Sequence, residues 1–429
     1  MLKIKAVLMR DQDIRRAAFF WNAFSAVMNS FQTMLLLLVI TRLGNMDDSG
    51  IFVIAYAIGN LMINIGKYGV RQFQVTDVNE KYSFFDYIKA RYVSMLFMAI
   101  ASAVYLAAGI IWNDYSVEKA LVILIICIFK GIEAYEDVYH GRMQQQGRLD
   151  VAGRILGIRL LVFIIGFAVL YILTHNLLLT CVINLMVSLF LFFILNYSVL
   201  ADFQEKNIRS AKTSWTGILV ECFPLCVCFC LNMYVGNAPK YTIDSIVSND
   251  VQTCFNIVFM PVFVVALLGN FVFQPFLKSI GEKWENLEIG SFFSIIIKLA
   301  LVVIATDAII AVLGSMIGCE VLGWIYNVNL KSYRKLLVVF LLAGGIIALQ
   351  NLFMIVITAI RCQKYMIYGY IITAAGMLFA GKRVLLQYEL IGLSSFFLLM
   401  LAFLGFYCML IIFIGTRKQR HGIVRGKSI

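Results

Sequence analysis

Long apolar runs, separated by short polar connectors, make up almost the whole chain. A helix that crosses a bilayer needs about 20 residues, and runs of that order recur along the sequence. We place about twelve spans, near residues 17–40, 50–66, 92–112, 118–138, 156–174, 177–198, 216–236, 253–275, 291–314, 336–360, 365–381 and 390–415. The pattern therefore predicts an all-α integral membrane protein.

A polar connector after the sixth span divides the spans into two equal groups. We predict an N-terminal six-helix bundle at 1–200, a cytoplasmic connector at 201–215, and a C-terminal six-helix bundle with a basic cytoplasmic tail at 216–429. Because each half has an even number of spans, both halves begin on the same side of the membrane. Any symmetry axis then runs along the membrane normal.

The basic residues indicate the orientation of the chain. Connectors on the side that we assign to the cytoplasm carry 26 Lys and Arg residues, against 8 on the opposite side. Positive charge favours the cytoplasmic side, so we expect both termini inside, in a bacterial cytoplasmic membrane. Topology also explains the net charge of +12, because the basic residues are scattered between apolar spans and form no domain that would bind nucleic acid.

Composition and motifs argue against an enzyme. Hydrophobic residues make up 62% of the chain and charged residues 14%, whereas ordinary soluble domains carry about 25% charged residues. The cysteines at 222, 226, 228 and 230 lie in an apolar helix with no nearby His, so we predict neither a metal site nor a cofactor. The chain contains no phosphate loop and none of the common hydrolase motifs. The same absence argues against an ATP-driven pump, so any transport by this chain would draw its energy from an ion gradient, the membrane potential or the substrate's own gradient.

The fourth span carries a stripe of polar residues. Its apolar part, residues 121–129, is too short to cross a bilayer, so the span must continue into charged residues. At about 100° per residue, five polar residues share one side of this helix: Lys130, Glu133, Asp137, His140 and Gln144. A charge that faces lipid costs about 2.5–3.5 kcal/mol, so we expect the stripe to face other helices or a water-filled cavity. The alternative is a helix that leaves the membrane near Lys130, with its charges solvated.

A second candidate region lies at the end of the seventh span. Gly236 and Pro239 predict a break in the helix, close to Lys240 and Asp244. These two charges can pair if the helix resumes. A cation at such a break suits an anionic substrate, and the carboxylate can take up a proton or a sodium ion. The alternative is an exposed ion pair in a loop.

Two further charged residues are candidates. Arg71 follows the second span, and it faces the inner mouth of a pore if segment 67–77 continues as a helix. A plain interfacial segment is the alternative for this region. Asp307 lies near the middle of the ninth span and is a candidate for ion coupling.

Four stretches, at 69–77, 133–148, 237–244 and 259–263, resemble the bacterial polysaccharide flippases. These are transporters of O-antigen and capsule repeat units, related to the multidrug and toxin extrusion proteins. The resemblance implies two six-helix bundles around a central cavity that opens alternately to either face. It implies an undecaprenyl-diphosphate-linked oligosaccharide as substrate. The implied partners are membrane lipids, a proton or sodium ion, and the polysaccharide polymerase and chain-length regulators.

A lipid diphosphate of this kind requires shielded cations. Arginine binds phosphate in bidentate fashion and lysine acts as a point charge. We therefore predict five substrate-binding cations: Arg71, Lys130, Arg142, Lys240 and Arg361. We predict four carboxylates that balance these charges or carry coupling ions: Glu133, Asp137, Asp244 and Asp307.

Three other functions stay open at this point. A cation-coupled exporter of drugs or small molecules, from the related extrusion family, would be expected to have acidic residues without accompanying cations. A membrane polymerase or ligase would be expected to have large external loops, whereas the predicted loops are short. The third is a scaffold that transports nothing.

Overall fold

The computed structural model describes residues 2–10, 13–76, 82–203, 215–244, 246–273, 276, 280, 283–284, 286–360 and 362–424. Over these residues the regular elements are helices, and no strand occurs. The chain forms two compact units, Met1–Met233 and Tyr234–Ile429. The all-α class is therefore confirmed, while the domain limits at 200 and 216 stay predictions.

The N-terminal unit begins with eight helices, several of which start at a side-chain cap. They are α1 (Leu2–Leu8), α2 (Ile14–Leu43), α3 (Met46–Lys67), α4 (Val70–Thr76), α5 (Phe84–Trp112), α6 (Val117–Gln145), α7 (Leu149–Thr174) and α8 (Leu177–Leu200). Asn45, Ser83, Ser116 and Asn176 accept a hydrogen bond from a backbone N–H in the first turn of α3, α5, α6 and α8. Such caps satisfy N–H groups that have no partner inside the helix.

Helix α9 (Trp215–Ile243) begins in the N-terminal unit and ends in the other. The C-terminal unit continues with α10 (Asn249–Phe259), α11 (Pro261–Phe273), α12 (Ile289–Leu313), α13 (Cys319–Tyr326), α14 (Arg334–Ala359) and α15 (Met366–Val424). A π-helical turn at Gly314–Gly318 joins α12 to α13. Helix α15 is interrupted at Glu389, whose φ of 55° is not helical.

The number of membrane spans agrees with the sequence. Ten segments of the described chain are long and apolar enough to cross a membrane. Helix α6 is not among them, because its central charges exceed what such a segment normally carries. Segment Met366–Arg417 has 52 residues and is interrupted at Glu389, so it has the length of two spans. Together these helices confirm the prediction of about twelve spans.

The helix break predicted at Gly236 and Pro239 is wrong. Helix α9 continues without interruption from Trp215 to Ile243. A proline removes only one backbone donor, and spanning helices tolerate this because neighbouring groups satisfy the carbonyl that is left. Lys240 therefore lies on a continuous helix.

Close helix packing positions α6. A methyl group placed on Gly66 of α3 would lie 2.6 Å from Met98 Sδ on α5 and 2.9 Å from Ala134 Cβ on α6. Small residues at such crossings let helix backbones approach closely within a membrane. Gly66 therefore brings α3, α5 and α6 together at the level of the charged residues described next.

Candidate functional site

Helix α6 exposes apolar side chains and buries charged ones. Lys130, Glu133, Asp137 and His140 are buried, while Ile128 on the same helix is 49% exposed. This is the reverse of a soluble amphipathic helix, and it is the arrangement that an apolar solvent favours. The prediction that the polar stripe faces other helices is confirmed, and the alternative of a solvated helix is wrong for these residues.

The first group of charges surrounds two glutamates. Lys130 Nζ donates a hydrogen bond to Glu133 Oε2 at 3.0 Å. Arg159 of α7 lies between both glutamates, with Nη2 3.7 Å from Glu133 Oε1 and Nε 2.7 Å from Glu136 Oε2. Glu136 also accepts a hydrogen bond from Asn196 of α8 at 2.8 Å. Polar groups from three helices thus form one buried network.

The second group surrounds Asp137. Arg71 Nη1 of α4 donates to Asp137 Oδ1 at 3.3 Å, and Arg91 Nη2 of α5 donates to Asp137 Oδ2 at 3.2 Å. Arg71 also donates to Gln144 Oε1. Arg91 also donates to the backbone oxygen of Gly66, near the end of α3 where carbonyl groups lack helical partners. Arg71 is 23% exposed, whereas Arg91 is fully buried.

Cations outnumber carboxylates in this network. We call the following seven residues the α6 cluster: Arg71, Arg91, Lys130, Glu133, Glu136, Asp137 and Arg159. Their ion pairs in the described chain join four cations to three carboxylates. The three buried cations match the three buried carboxylates, and the partly exposed Arg71 leaves the cluster with one net positive charge. The arrangement therefore favours an additional anion beside Arg71.

Three members of the cluster were not predicted as site residues. From the sequence, Arg91 and Arg159 are counted among the 26 cytoplasmic basic residues, although position 159 lies within the predicted span 156–174, and Glu136 is not selected as a site residue. The structure starts α5 at Phe84 and α7 at Leu149, which places both arginines well inside helices. A signal was present for Arg91, because Ser83 is a good N-cap residue and lies well before residue 92, where the span was predicted to begin.

Arg142 lies further along α6 and has a different environment. It is buried, its Nε donates to the backbone oxygen of Phe203 at 3.3 Å, and its guanidinium lies 5.8 Å from the centre of the Phe84 ring. These contacts tie the end of α6 to the segment that follows α8. Its role in substrate binding stays a prediction.

The C-terminal unit has its own buried polar group. Lys240 Nζ lies 5.1 Å and 5.3 Å from the ring centres of Phe259 and Phe263. Within the part of the chain that the structure describes, Lys240 forms no ion pair. Asp244 is buried and accepts a hydrogen bond from Gln252 at 3.4 Å. The alternative of an exposed ion pair is therefore wrong, while a role in substrate binding stays a prediction.

Asp307 occupies an apolar pocket of the C-terminal unit. It is buried, and its Oδ1 has no hydrogen-bond partner among the described residues. The pocket has a volume of about 280 Å³ and is otherwise lined by Ile304, Leu342, Gly345, Ile346, Leu349 and Leu398. Its predicted role in ion coupling stays a prediction. Arg361, the fifth predicted cation, lies outside the described residues.

Comparisons with known proteins agree with this fold. No family model matches the chain. The chain is 22% identical over 346 residues to the capsular polysaccharide biosynthesis protein CapF of Staphylococcus aureus, covering 79% of this chain and 84% of that protein. It is similar to a multidrug resistance MATE family transporter of the MOP superfamily in its inward-facing conformation. The TM-score is 0.63 at 11% identity, over 93% of this chain and 96% of the other.

A third similar protein is a MOP superfamily transporter from Pyrococcus furiosus, described as having a binding pocket of reverse polarity that suggests a different function. The TM-score is 0.57 at 12% identity, over 97% of this chain and 98% of the other. These likenesses show that the chain has the fold of the MATE and MOP transporters. They confirm, at the level of the fold, the relation to extrusion proteins that the sequence resemblance indicated.

Proposed function

We propose that this chain is a flippase that moves an undecaprenyl-diphosphate-linked oligosaccharide across a bacterial cytoplasmic membrane by alternating access. The observation that carries the proposal is the net positive charge of the α6 cluster, in which three buried cations and the partly exposed Arg71 pair with three buried carboxylates. A diphosphate supplies the missing negative charge, and charge-assisted hydrogen bonds to its oxygens are among the strongest in proteins.

Two of the four cations can turn to a ligand without leaving a carboxylate alone. If Lys130 leaves Glu133, Arg159 still lies 3.7 Å from that carboxylate. If Arg71 leaves Asp137, the buried Arg91 still holds it. Removal of the last partner of a buried charge costs about 3–5 kcal/mol, and this exchange avoids that cost. We therefore assign phosphate binding to Lys130 and Arg71, and a structural role to Arg91 and Arg159.

Lys240 provides a second binding cation in the C-terminal unit. Its ammonium group faces aromatic rings, so a phosphate or a sugar hydroxyl would meet a donor that is not already engaged with a carboxylate in the described chain. Transport would then be driven by an ion gradient or by the membrane potential, with Asp307 as the site that takes up the coupling ion and both termini in the cytoplasm.

The comparisons support this proposal in two ways. The curated relative CapF is named for capsular polysaccharide biosynthesis, and lipid-linked repeat units are intermediates of that kind of process. The archaeal transporter with a pocket of reverse polarity indicates that this fold admits more than one charge pattern. A cation-rich cluster on the same fold is consistent with an anionic cargo.

Export of drugs or small cations is the second candidate. It is favoured by the neighbouring multidrug transporters and by the carboxylate of Asp307, which lies in an apolar pocket. The α6 cluster argues against it, because its net positive charge repels a cationic drug.

Deletion of the gene in its native host tests the proposal. We expect a lipid-linked oligosaccharide to accumulate in the inner leaflet, and the wild-type chain to restore export. A Lys130→Met variant should insert normally and fail to restore it. Lys298→Met is the matched control, since Lys298 also lies in a spanning helix and is exposed. Greater susceptibility to cationic drugs with no accumulated lipid would contradict the proposal and support the second candidate.

A further inference from the structure

A long apolar groove runs along the N-terminal unit between α5, α6 and α8. Its volume is about 680 Å³, within the roughly 300–1,000 Å³ range of small-molecule sites. Along α6 its wall extends from Leu124 to Tyr139, which corresponds to about 22 Å of helix. The groove is therefore long and narrow, which suits an extended hydrocarbon chain better than a compact molecule.

The two ends of the groove differ in polarity. Ala103, Leu124 and Leu189 line one end. Four tyrosines line the other end: Tyr92, Tyr135, Tyr139 and Tyr197. Tyr135 Oη lies 2.9 Å from Tyr92 Oη and 3.0 Å from Tyr139 Oη. Tyrosine is typical of the zone where the membrane meets water, so a lipid in the groove would point its head toward the tyrosines.

The groove and the α6 cluster share one residue. Asn196 of α8 lines the groove, and its Nδ2 donates to Glu136 Oε1 at 2.8 Å. Asn196 is 2% exposed, and its Oδ1 has no hydrogen-bond partner among the residues that the structure describes. Asn196 therefore joins the wall of the groove to the α6 cluster. Gly131, which also lines the groove, directly follows Lys130.

We propose that this groove holds part of the isoprenoid tail of the lipid-linked substrate, an inference that rests on the function proposed above. A volume of about 680 Å³ over that length gives a mean cross-section of about 30 Å², which leaves room for the methyl branches of an isoprenoid chain. Met95 and Met98 line the groove, and their flexible side chains adapt to an irregular apolar surface.

Photocrosslinking of the full chain in lipid vesicles tests the inference. The probe is a polyprenyl diphosphate with a diazirine in its isoprenoid chain, and the adducts are located by mass spectrometry. We expect adducts at groove residues such as Met95 and Phe193, displaced by unlabelled polyprenyl diphosphate and not by added phosphatidylglycerol. Adducts spread over exposed apolar residues outside the groove, such as Ile110 and Val312, or equal displacement by phosphatidylglycerol, would overturn the inference.

A groove-filling variant gives a second test. A Cβ at Gly131 would meet only Met95 Cε, at 3.9 Å, so this position has room for a side chain that extends into the groove, as in Gly131→Leu. We expect it to lower the adduct yield about tenfold, equivalent to about 1.4 kcal/mol of binding. Gly290→Leu is the control, because nothing lies within 4 Å of a Cβ at that position.

The outcomes separate the inference from the proposed function. Suppose that Gly131→Leu gives the wild-type adduct yield, and that adducts at other positions are displaced by unlabelled polyprenyl diphosphate. The inference about the groove would then be overturned, while the proposed flippase function would stand. A wild-type chain that gives no displaceable adduct at any position would contradict both.

Discussion

Lys130 donates to Glu133 across one turn of α6 at 3.0 Å, and Glu133 does not depend on Lys130 alone for its counter-charge. Its other carboxylate oxygen lies 3.7 Å from Arg159. The two cations are therefore not equivalent. Lys130 can exchange partners, whereas Arg159 approaches both Glu133 and Glu136 and holds α7 against α6.

The first prediction separates these two cations by stability. Lys130→Met should abolish export while changing the free energy of unfolding by less than about 1 kcal/mol. Arg159→Met should lower that free energy by about 3–5 kcal/mol, because Glu136 would lose its closest cation. Thermal unfolding of the purified variants in detergent, followed by size-exclusion chromatography, measures the difference. Equal destabilisation by both substitutions would contradict the distinction.

The second prediction concerns the two arginines of Asp137. Arg71→Gln should impair export and leave stability nearly unchanged, since Arg91 still pairs with Asp137 and Arg71 is partly exposed. Arg91→Leu should destabilise the protein by about 1–3 kcal/mol, because Asp137 keeps only the partly exposed Arg71 and the backbone oxygen of Gly66 loses one of its two donors. The same unfolding assay, paired with an export assay, checks both effects. A stable Arg91→Leu protein would show that this arginine is not structural.

The third prediction tests the close approach of three helices at Gly66. Gly66→Ala should destabilise the protein by about 1–3 kcal/mol, because the added methyl would lie 2.9 Å from Ala134 Cβ. Gly290→Ala should instead stabilise it slightly, since alanine is the better helix former by about 1 kcal/mol and has space there. Effects of opposite sign in unfolding experiments are expected. Two stabilising substitutions would mean that α3 does not need glycine at this crossing.

The fourth prediction concerns Asp307. Asp307→Leu should raise the unfolding temperature, because it removes a carboxylate that has an oxygen without a hydrogen-bond partner in the described chain. If Asp307 carries the coupling ion, the same variant should lose the dependence of transport on an imposed pH or sodium gradient. Transport by Asp307→Leu that still follows the gradient would exclude Asp307 from coupling.

Much of the fold could be predicted from the sequence, because spanning helices leave a strong apolar signal. The helix count and the burial of Lys130, Glu133 and Asp137 both followed from the bilayer's length requirement and from the cost of charge in lipid. The same reasoning failed at Arg91 and Arg159. The positive-inside rule assigns basic residues near span ends to the cytoplasm, and it does not distinguish an arginine in a connector from one that folds back into the bundle.

The ion pairs within the α6 cluster could not be predicted from the sequence either. Periodicity places residues on one side of one helix, whereas Arg71, Arg91 and Arg159 reach α6 from three other helices. Only the packing of α4, α5 and α7 against α6 brings them together. The helix break expected at Gly236 and Pro239 failed because a proline removes only one backbone donor, and a spanning helix tolerates that loss.

The most direct test of the cation-rich cluster is transport by the purified protein in vesicles. A polyprenyl-diphosphate-linked saccharide with a fluorescent label in one leaflet is followed by membrane-impermeant quenching as it reaches the other leaflet. We predict transfer by the wild-type chain and by Lys298→Met, and loss of transfer in Lys130→Met. Transfer by Lys130→Met at the wild-type rate would contradict the account.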